Sequence, residues 1–494
     1  MFYTSTRDGA VRVRSAEAIT RGISAEGGLF VPESIPQLTL ADIERLSALD
    51  YIGRAKEILA LYLDDFSEAE LAHCVQAAYG GEKFSDPAVA SVMPLADCHV
   101  LELWKGPTCA FKDMALQLLP QLLTVAAEKT AQGKEILILV ATSGDTGKAA
   151  LEGFHDVPGT KILVFYPDEG VSPMQKLQMV TQAGENVSVC AVRGNFDDTQ
   201  TGVKAIFTDA AIGEALAQSG AMFSSANSIN WGRLAPQIVY YVSAYCDLLQ
   251  RGAIALGDKI NFAVPTGNFG NILAGEYARR MGLPIARLIC ASNANNILTD
   301  FIKTGRYDRS RPFYTTVSPS MDILISSNLE RLLHMMSGSS EQVAQWMAQL
   351  QSVGAYEVPA DMLSALQDGF AGGCCNDAQT AQTIAEEFAA SGYLLDTHTA
   401  VGLRVLREYR AATKDETPTV LVSTANPYKF SASVLDAVAP GHSDGADEFE
   451  MAARLCQITG APCPAQLADL KGQAVRFDKV CEKAEMAQAV LALL

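Results

Sequence analysis

The sequence has little that would direct the chain to a membrane or out of the cell. Its start, Met1–Asp8, lacks the basic segment and the apolar run of a secretory signal peptide. No apolar stretch approaches the about 18 residues that a spanning helix needs. We therefore expect a cytoplasmic protein that makes no membrane contact.

Patterns typical of metal sites are also absent from the sequence. The eleven cysteines are scattered, and Cys374 and Cys375 are adjacent rather than spaced as Cys-x-x-Cys. The six histidines are dispersed, without the His-Glu-x-x-His or His-x-x-x-His spacing of a zinc enzyme. We expect reduced, mostly buried thiols and no metal.

Positive charge is scarce, and the length excludes a small module. Lysine and arginine number 38 against 56 aspartates and glutamates, and the net charge of −18 would repel a nucleic-acid backbone. The 494 residues suffice for about three domains. With 49% hydrophobic and 19% charged residues, the chain supports several cores and leaves little room for a disordered tail.

Short apolar runs, each followed by a turn and a helical pattern, indicate β–α units and a parallel α/β fold. The clearest runs are Val100–Trp104, Ile136–Val140, Lys161–Phe165, Val187–Val192, Ile260–Val264, Leu288–Ala291 and Thr419–Ser423. Each is short and uniformly apolar, as expected of a strand buried on both faces.

Changes of pattern along the chain suggest four parts. We divide it into an N-terminal mainly helical unit (1–92), an α/β domain (93–255), a second α/β domain (256–440) with a helical insertion at about 312–392, and a C-terminal segment (441–494). Helical periodicity from about Leu40 to Ala78 supports the first part, and Ala371–Gly373 is expected to break the helical insertion. The acidic residues Asp444–Glu450 suggest a solvated loop.

Ligands of an open parallel sheet bind at the carboxyl ends of its strands, and four turns there are unusual. The first carries Lys112 between Phe111 and Met114, at a predicted helix N-terminus. The helix dipole and apolar neighbours would lower the pKa of this lysine, as a Schiff-base lysine requires.

Two further turns, 141–148 and 265–271, are rich in glycine and precede helices, so their backbone amides could bind an anion. The first is not a nucleotide P-loop, because Thr142 and Ala149 replace residues that this motif requires, and Pro265 replaces a glycine of the dinucleotide fingerprint. The fourth turn offers Thr424, whose hydroxyl could pair with a neutral ring nitrogen. Together the four turns suit pyridoxal phosphate better than a nucleotide.

These stretches resemble the threonine synthases of the longer, fungal and bacterial type, within the tryptophan-synthase-β-like, fold type II group of pyridoxal phosphate enzymes. The matching stretches are EGGLFVP at Glu26–Pro32, GPTCAFKD around Lys112, ATSGDTGKAA, GNFDD at Gly194–Asp198, NSINWGR at Asn227–Arg233, PTGNFGNILAG, SPSMDILISSNLERLL at Ser318–Leu333, DTHTAVG at Asp396–Gly402 and STANPYKF. They run from about residue 25 to about 430 in the order of the family.

The resemblance implies two parallel-sheet α/β domains that clasp pyridoxal 5'-phosphate. In it, Lys112 forms the Schiff base, Thr424 meets the pyridine nitrogen and Asp145 lies near the phenolic oxygen. The cofactor phosphate is held by the turn of Gly267, Asn268, Phe269, Gly270 and Asn271. The implied substrate-binding residues are Ser143, Thr146, Asn227 and Arg233.

The implied reaction converts O-phospho-L-homoserine and water to L-threonine and phosphate, in a monomer or homodimer. A phospho-amino-acid lyase or hydroxy-amino-acid dehydratase on the same scaffold is the alternative enzyme, and a non-catalytic anion or cofactor sensor is a more distant one. The chain departs from many family members at Lys105 and Asn426, where those members have histidine. His398 lies in a matching stretch, but we expect it to be structural.

Overall fold

The N-terminal residues of the computed structural model form a small sheet and a group of helices. The structure describes residues 1–142, 144–168 and 171–494. The first elements are β1 (Phe2–Ser5), β2 (Val13–Arg14), α1 (Ser15–Arg21), β3 (Phe30–Pro32), α2 (Leu40–Ser47), α3 (Tyr51–Tyr62) and α4 (Glu68–Tyr79). Helices α2 to α4 confirm the predicted helical stretch. The antiparallel sheet β2-β1-β3 adds to the expected helical unit.

The next part of the chain alternates strands and helices. Its elements are β4 (Ser91–Pro94), β5 (His99–Glu102), α5 (Asp113–Leu116), α6 (Leu119–Thr130), β6 (Glu135–Ala141), α7 (Asp145–Phe154), β7 (Thr160–Pro167), α8 (Pro173–Val180), β8 (Val187–Val192), α9 (Phe196–Thr208), α10 (Ala210–Gln218), β9 (Ala221–Ser224) and α11 (Trp231–Gln250). Strands β6 and β7 are buried almost throughout, as their uniform apolar sequences predict.

The same alternation continues in the third part. Its elements are β10 (Ile260–Pro265), α12 (Gly270–Arg280), β11 (Ile285–Ser292), α13 (Ile297–Thr304), β12 (Arg306–Asp308), α14 (Leu329–Ser337), α15 (Ser340–Ser352), β13 (Ala355–Glu357), α16 (Ala360–Gly369), β14 (Phe370–Cys374), α17 (Asp377–Ser391), α18 (Thr397–Thr413), β15 (Thr419–Ser423) and α19 (Ser431–Val438). All seven predicted runs are strands.

The interpretation of residues 312–392 as a helical insertion is incomplete. Ala371–Gly373 does not simply break a helix, because it forms β14, which pairs in parallel with β11. A Cβ atom on Gly373 would lie 2.6 Å from Val405 Cγ1, so the absence of a side chain permits close packing.

The C-terminal segment contributes α20 (Glu448–Thr459), α21 (Ala465–Ala468), β16 (Val480–Cys481) and α22 (Met486–Leu491). The expectation of a solvated loop at 444–450 is wrong for its second half. Asp447 caps α20, and Glu448 and Glu450 lie in its first turn, where the helix dipole favours negative charge.

Two larger sheets organise the structure. One has the strand order β14-β11-β10-β15-β5-β4 and is parallel except for β4. The other has the order β16-β8-β7-β6-β9 and is parallel throughout. The carboxyl ends of β5, β10 and β15 therefore share one edge, and each leads into one of the turns singled out in the sequence.

Neither sheet is made only of strands from one of the parts that we expected to meet at residues 93 and 256. Strand β5, which precedes Lys112, pairs with β15 and so belongs with the later strands. Strand β16, from the C-terminal segment, completes the sheet of β6 to β9. Both sheets are thus assembled from segments far apart in the chain.

The N-terminal unit packs on the helix that carries Arg233. Trp231, at the start of α11, is fully buried, and its ring lies 5.3 Å from that of Tyr3, 5.5 Å from that of Tyr62 and 5.4 Å from that of Tyr277. The unit therefore supports the beginning of α11.

Across the described residues, no helix combines the length and apolar character needed to cross a bilayer.

Candidate active site

Lys112 lies directly before α5, in the loop that follows β5. The Phe111 amide donates to the Thr424 carbonyl at 2.8 Å, and the Asn426 amide donates to the Cys109 carbonyl at 3.0 Å. These bonds join the loop to the turn after β15. Lys112 and Thr424, which are more than 300 positions apart, are therefore brought to one place.

Burial and one carboxylate have opposite effects on the charge of Lys112. Its side chain is 11% exposed, and its Nζ lies 3.8 Å from Asp145 Oδ2. Burial lowers the pKa of Lys112, Asp145 partly opposes this, and the positive charges of Lys429 and Arg233 lower the pKa further. The direction agrees with the prediction. However, burial is the main cause, and α5 is only one turn long.

Asp145 is the centre of a buried polar cluster. It accepts a hydrogen bond from Gln175 Nε2 at 2.9 Å, and its Oδ1 lies 2.9 Å from Lys429 Nζ. Burial alone would raise the pKa of Asp145, but Lys429 and Lys112 outweigh burial and hold it well below its ordinary value. Asp145 is therefore ionised at neutral pH.

Three members of this cluster were not among the predicted site residues. They are Gln175, Gln178 and Lys429. Gln175 and Gln178 both lie on α8, whose sequence shows no special pattern. Lys429 stands inside the matching stretch STANPYKF, which was a signal that could have singled it out.

Asp113 fixes the shape of the loop next to Lys112. It is fully buried and accepts from the Thr108 amide at 2.8 Å and from Thr108 Oγ1 at 2.7 Å. Burial raises the pKa of Asp113 to about 6. A Cβ atom on Gly106 would lie 2.6 Å from the Asp113 carboxylate, so the glycine makes room for it.

The turn between β10 and α12 leaves its backbone donors without protein partners in the part of the chain that the structure describes. Phe269 adopts a left-handed conformation with φ of 63°. Within the described chain, the amides of residues 267–271 donate to no protein acceptor. Asn271 Oδ1 accepts from Tyr240 and Tyr241, while its buried Nδ2 has no partner there. Five amides and one side-chain donor are thus available to a ligand.

The segment before α14 supports this turn from outside. Ser326 Oγ donates to the Gly267 carbonyl at 2.7 Å, and the Asn328 amide donates to the Asn268 carbonyl at 3.0 Å. A Cβ atom on Gly267 would lie 2.6 Å from the Ser320 carbonyl oxygen, so only glycine fits.

His398 contacts the segment that supports this turn. Its Nε2 accepts from the Ser320 amide at 3.2 Å, and its Nδ1 lies 3.1 Å from Asp396 Oδ1. The aspartate therefore orients the ring as a fixed acceptor. This contact supports the structural role that we expected for His398.

Arg233 is a buried cation without an acidic partner. It is 3% exposed and lies in the first turn of α11. One Nη donates to the Ala226 carbonyl, its Nε has no partner, and no carboxylate among the described residues pairs with it. Burial lowers its pKa to about 10. A buried arginine often forms a structural ion pair, but the described residues provide none for Arg233.

The remaining predicted substrate residues are less well defined by contacts. Ser143 lies outside the described residues. Thr146 is half-buried in the first turn of α7, and Asn227 is half-buried before α11. No described hydrogen bond joins either side chain to Lys112. The turn itself is tight, because Thr142 Oγ1 accepts from the Gly144 and Gly147 amides, each at 3.0 Å.

The two departures from the family pattern have local structural partners. Lys105 Nζ lies 3.0 Å from Glu102 Oε2 and 4.2 Å from the centre of the Trp104 ring. Asn426 is buried, and its Oδ1 accepts from the Tyr428 amide at 3.0 Å, which caps the following short helical turn. Lys105 and Asn426 thus each have partners within this chain, at positions where many family members have histidine.

Comparisons with known proteins agree with this arrangement. Family models match the chain as threonine synthase N terminus over residues 2–79, as pyridoxal-phosphate dependent enzyme over 100–425 and as threonine synthase, C-terminal, over 399–491. The threonine synthase of Pseudomonas aeruginosa is 40% identical over 437 residues, covering 88% of this chain and 90% of that protein. The chain belongs to the threonine synthase family. The family match also confirms the predicted cofactor class.

A solved structure confirms the predicted fold of this family member. The structure of pyridoxal-phosphate-bound threonine synthase from Brucella melitensis has a TM-score of 0.88 at 36% identity, covering 100% of this chain and 99% of that one. Threonine synthase-like 1 of Macaca fascicularis is 41% identical over 435 residues. That alignment covers 86% of this chain but 58% of that protein, so the chain spans little more than half the length of the threonine synthase-like 1 proteins.

Proposed function

We propose that the chain converts O-phospho-L-homoserine and water to L-threonine and inorganic phosphate, with pyridoxal 5'-phosphate as cofactor. The observation that carries the proposal is Arg233, whose buried positive charge has no acidic partner among the described residues. A buried charge is costly unless it is paired, so a site of this kind is suited to a ligand that brings a negative charge. Family membership supports the same reaction.

The residues present fit the cofactor. The unpaired amides of residues 267–271 and the Asn271 Nδ2 would hold its phosphate, and Gly267 leaves the space that this requires. Lys112 would bond to it covalently, and Thr424 and Asp145 would contact its ring. When bound, pyridoxal phosphate supplies an electron sink that stabilises negative charge on neighbouring substrate carbons.

Lys112 is suited to carry protons between substrate carbons. The burial that lowers its pKa favours the neutral amine, which can accept a proton at Nζ and return it elsewhere. Asp145 stays ionised beside it and stabilises the charge on Nζ whenever the proton is present. Lys112 directly precedes α5 and Asp145 begins α7, so the fold holds both in place.

Arg233 would bind the phosphate of the substrate. A guanidinium can donate two parallel hydrogen bonds to a phosphate, which a lysine cannot do. Its positive charge acts on Lys112, so the two groups lie within electrostatic reach of each other. The arginine would thus orient the phosphate ester relative to the proton-carrying lysine.

Product analysis tests the proposal directly. The purified protein, loaded with pyridoxal phosphate, is incubated with O-phospho-L-homoserine, and threonine, phosphate and ketoacid are measured. Threonine and phosphate in equal amounts are expected. A ketoacid would instead indicate the lyase or dehydratase, and bound cofactor without any turnover would indicate a sensor.

The cellular location and the assembly stay predictions of the sequence. We propose a cytoplasmic monomer or homodimer that binds no nucleic acid. Light scattering of the purified protein tests the oligomeric state.

A further inference from the structure

Two lysines share one carboxylate in the site. Lys429 Nζ lies 2.9 Å from Asp145 Oδ1, whereas Lys112 Nζ lies 3.8 Å from Asp145 Oδ2. Coulomb attraction falls with distance, so the shorter contact is the stronger of the two ion pairs. Lys429 is therefore the principal counter-charge of Asp145.

Lys429 must be an ammonium in this arrangement. Besides Asp145, its Nζ donates to the Thr108 carbonyl at 2.8 Å and to Gln178 Oε1 at 3.0 Å. Its Nζ thus faces three acceptor oxygens within 3.0 Å, and the lone pair of a neutral amine would be set against one of them. Its side chain is also fully buried, so water does not compete for these bonds.

Lys112 differs from Lys429 in each of these respects. It is partly exposed, its contact with the Asp145 carboxylate is longer, and it faces the positive charges of Lys429 and Arg233. The buried carboxyl of Asp113 is the other charged group that acts on it, in the same direction as Asp145. A second cation paired with Asp145 thus lets Lys112 lose its proton without leaving the buried carboxylate unpaired.

We propose that Lys429 is a positioning residue, the permanent cation that neutralises Asp145 and so frees Lys112 to exchange its proton. The proposal rests on the role proposed above for Lys112, and it assigns Lys429 no contact with substrate. Without Lys429, Asp145 would take Lys112 as its only cationic partner and hold it in the ammonium form.

The test measures the reactivity of Lys112 in the cofactor-free protein. Trace acylation of amines between pH 7 and pH 10, followed by peptide mass spectrometry, reports the neutral fraction of each lysine. Exposed Lys134 in the same digest provides the reference rate. In Lys429→Met, which keeps an unbranched side chain of similar length, Lys112 should react about tenfold more slowly at pH 8 than in the original protein, because one pKa unit is a factor of ten. An unchanged rate would overturn the proposal.

Paired variants keep the test decisive if Lys429→Met does not fold. In Asp145→Asn the cation of Lys429 remains without its carboxylate, so Lys112 should react faster than in Asp145→Asn/Lys429→Met, which carries neither charge. Equal rates in these two proteins would show that the charge of Lys429 does not reach Lys112, and would refute the idea. Lys429→Arg, which keeps the positive charge, should react more nearly like the original protein than Lys429→Met does.

The readout is independent of the reaction that the protein catalyses. Normal acylation rates with no threonine produced would count against the proposed function alone. Threonine production with Lys112 unaffected by Lys429→Met would count against the positioning role alone.

Discussion

Replacing Arg233 with methionine should abolish most of the activity without lowering the stability of the fold. The buried guanidinium makes one described hydrogen bond, to Ala226, and its Nε makes none. Methionine keeps much of the apolar packing and carries no charge to desolvate. Activity and stability should therefore change in different directions, which is unusual for a buried residue.

The structure sets the size of both effects. Burial lowers the pKa of Arg233 from 12.5 to about 10, which corresponds to a cost of about 3 kcal/mol for the charged form. Loss of the bond to Ala226 offsets about 1 kcal/mol of this, so we expect the unfolding free energy to rise by about 1–2 kcal/mol. Loss of a bidentate phosphate contact of about 3–4 kcal/mol should lower kcat/KM about 100- to 1000-fold.

Arg331 provides a matched control for this experiment. It is also fully buried, and burial lowers its pKa to about 10 as well. However, it donates to the Phe30 carbonyl at 3.0 Å, to Asn328 Oδ1 at 2.6 Å and to the Ile229 carbonyl at 2.6 Å. Arg331→Met should therefore be about 2 kcal/mol less stable than Arg233→Met and unfold at a lower temperature, because two more acceptors lose their donor.

Thermal unfolding of the cofactor-free proteins and steady-state kinetics with O-phospho-L-homoserine make the comparison. Added phosphate should raise the midpoint of the original protein more than that of Arg233→Met, because ligand binding stabilises the folded state. The reasoning fails if Arg233→Met is destabilised as much as Arg331→Met, or if its kcat/KM stays within about threefold of the original value.

Three further predictions concern the cofactor site. Lys112→Ala should release no phosphate above background, while Lys134→Ala, altered at an exposed lysine, should be fully active; normal turnover by Lys112→Ala would disprove its role. Gly267→Ala should weaken the binding of pyridoxal phosphate at least about tenfold, because its Cβ would lie 2.6 Å from the Ser320 carbonyl oxygen, and an absorbance titration with unchanged affinity would contradict this. Because the pKa of Asp113 is raised to about 6, the folded state binds its proton more tightly than the unfolded state, and stability falls as pH rises. The unfolding free energy of the original protein relative to Asp113→Asn should thus fall by up to about 3 kcal/mol between pH 4 and pH 7, and a pH-independent difference would show that Asp113 is not responsible.

Local pattern was sufficient to predict the strands and the turns of the site. Uniform apolar runs predict buried strands because each residue of such a strand faces a covering layer. The turn at Gly267–Asn271 is recognisable because glycines mark a close backbone approach, and here the structure shows both the left-handed residue and the space that a Cβ would fill. Lys112 was singled out from its position after a predicted strand, and its Schiff-base role stays a prediction.

Local pattern was misleading where the meaning of a residue depends on distant packing. Ala371–Gly373 suggests a break, yet it is a strand, because β11 supplies its hydrogen bonds and Val405 packs against Gly373. Asp447 suggests a solvated loop, although it caps a helix whose later residues are needed to reveal it.

The sequence by itself determined the family, the strands and the chemistry of the turns, since these depend on residues that are neighbours in the chain. Only the tertiary structure decided which charges meet. Lys429 and Asp145 are 284 positions apart, and nothing local marks them as partners. The pairing of β5 with β15 sets the turn of Lys429 beside the loop of Lys112, and Asp145 reaches the same place from the other sheet, at the start of α7. Buried charges interact over a few ångströms in space whatever their separation along the chain, and so the fold alone fixes the electrostatics of this site.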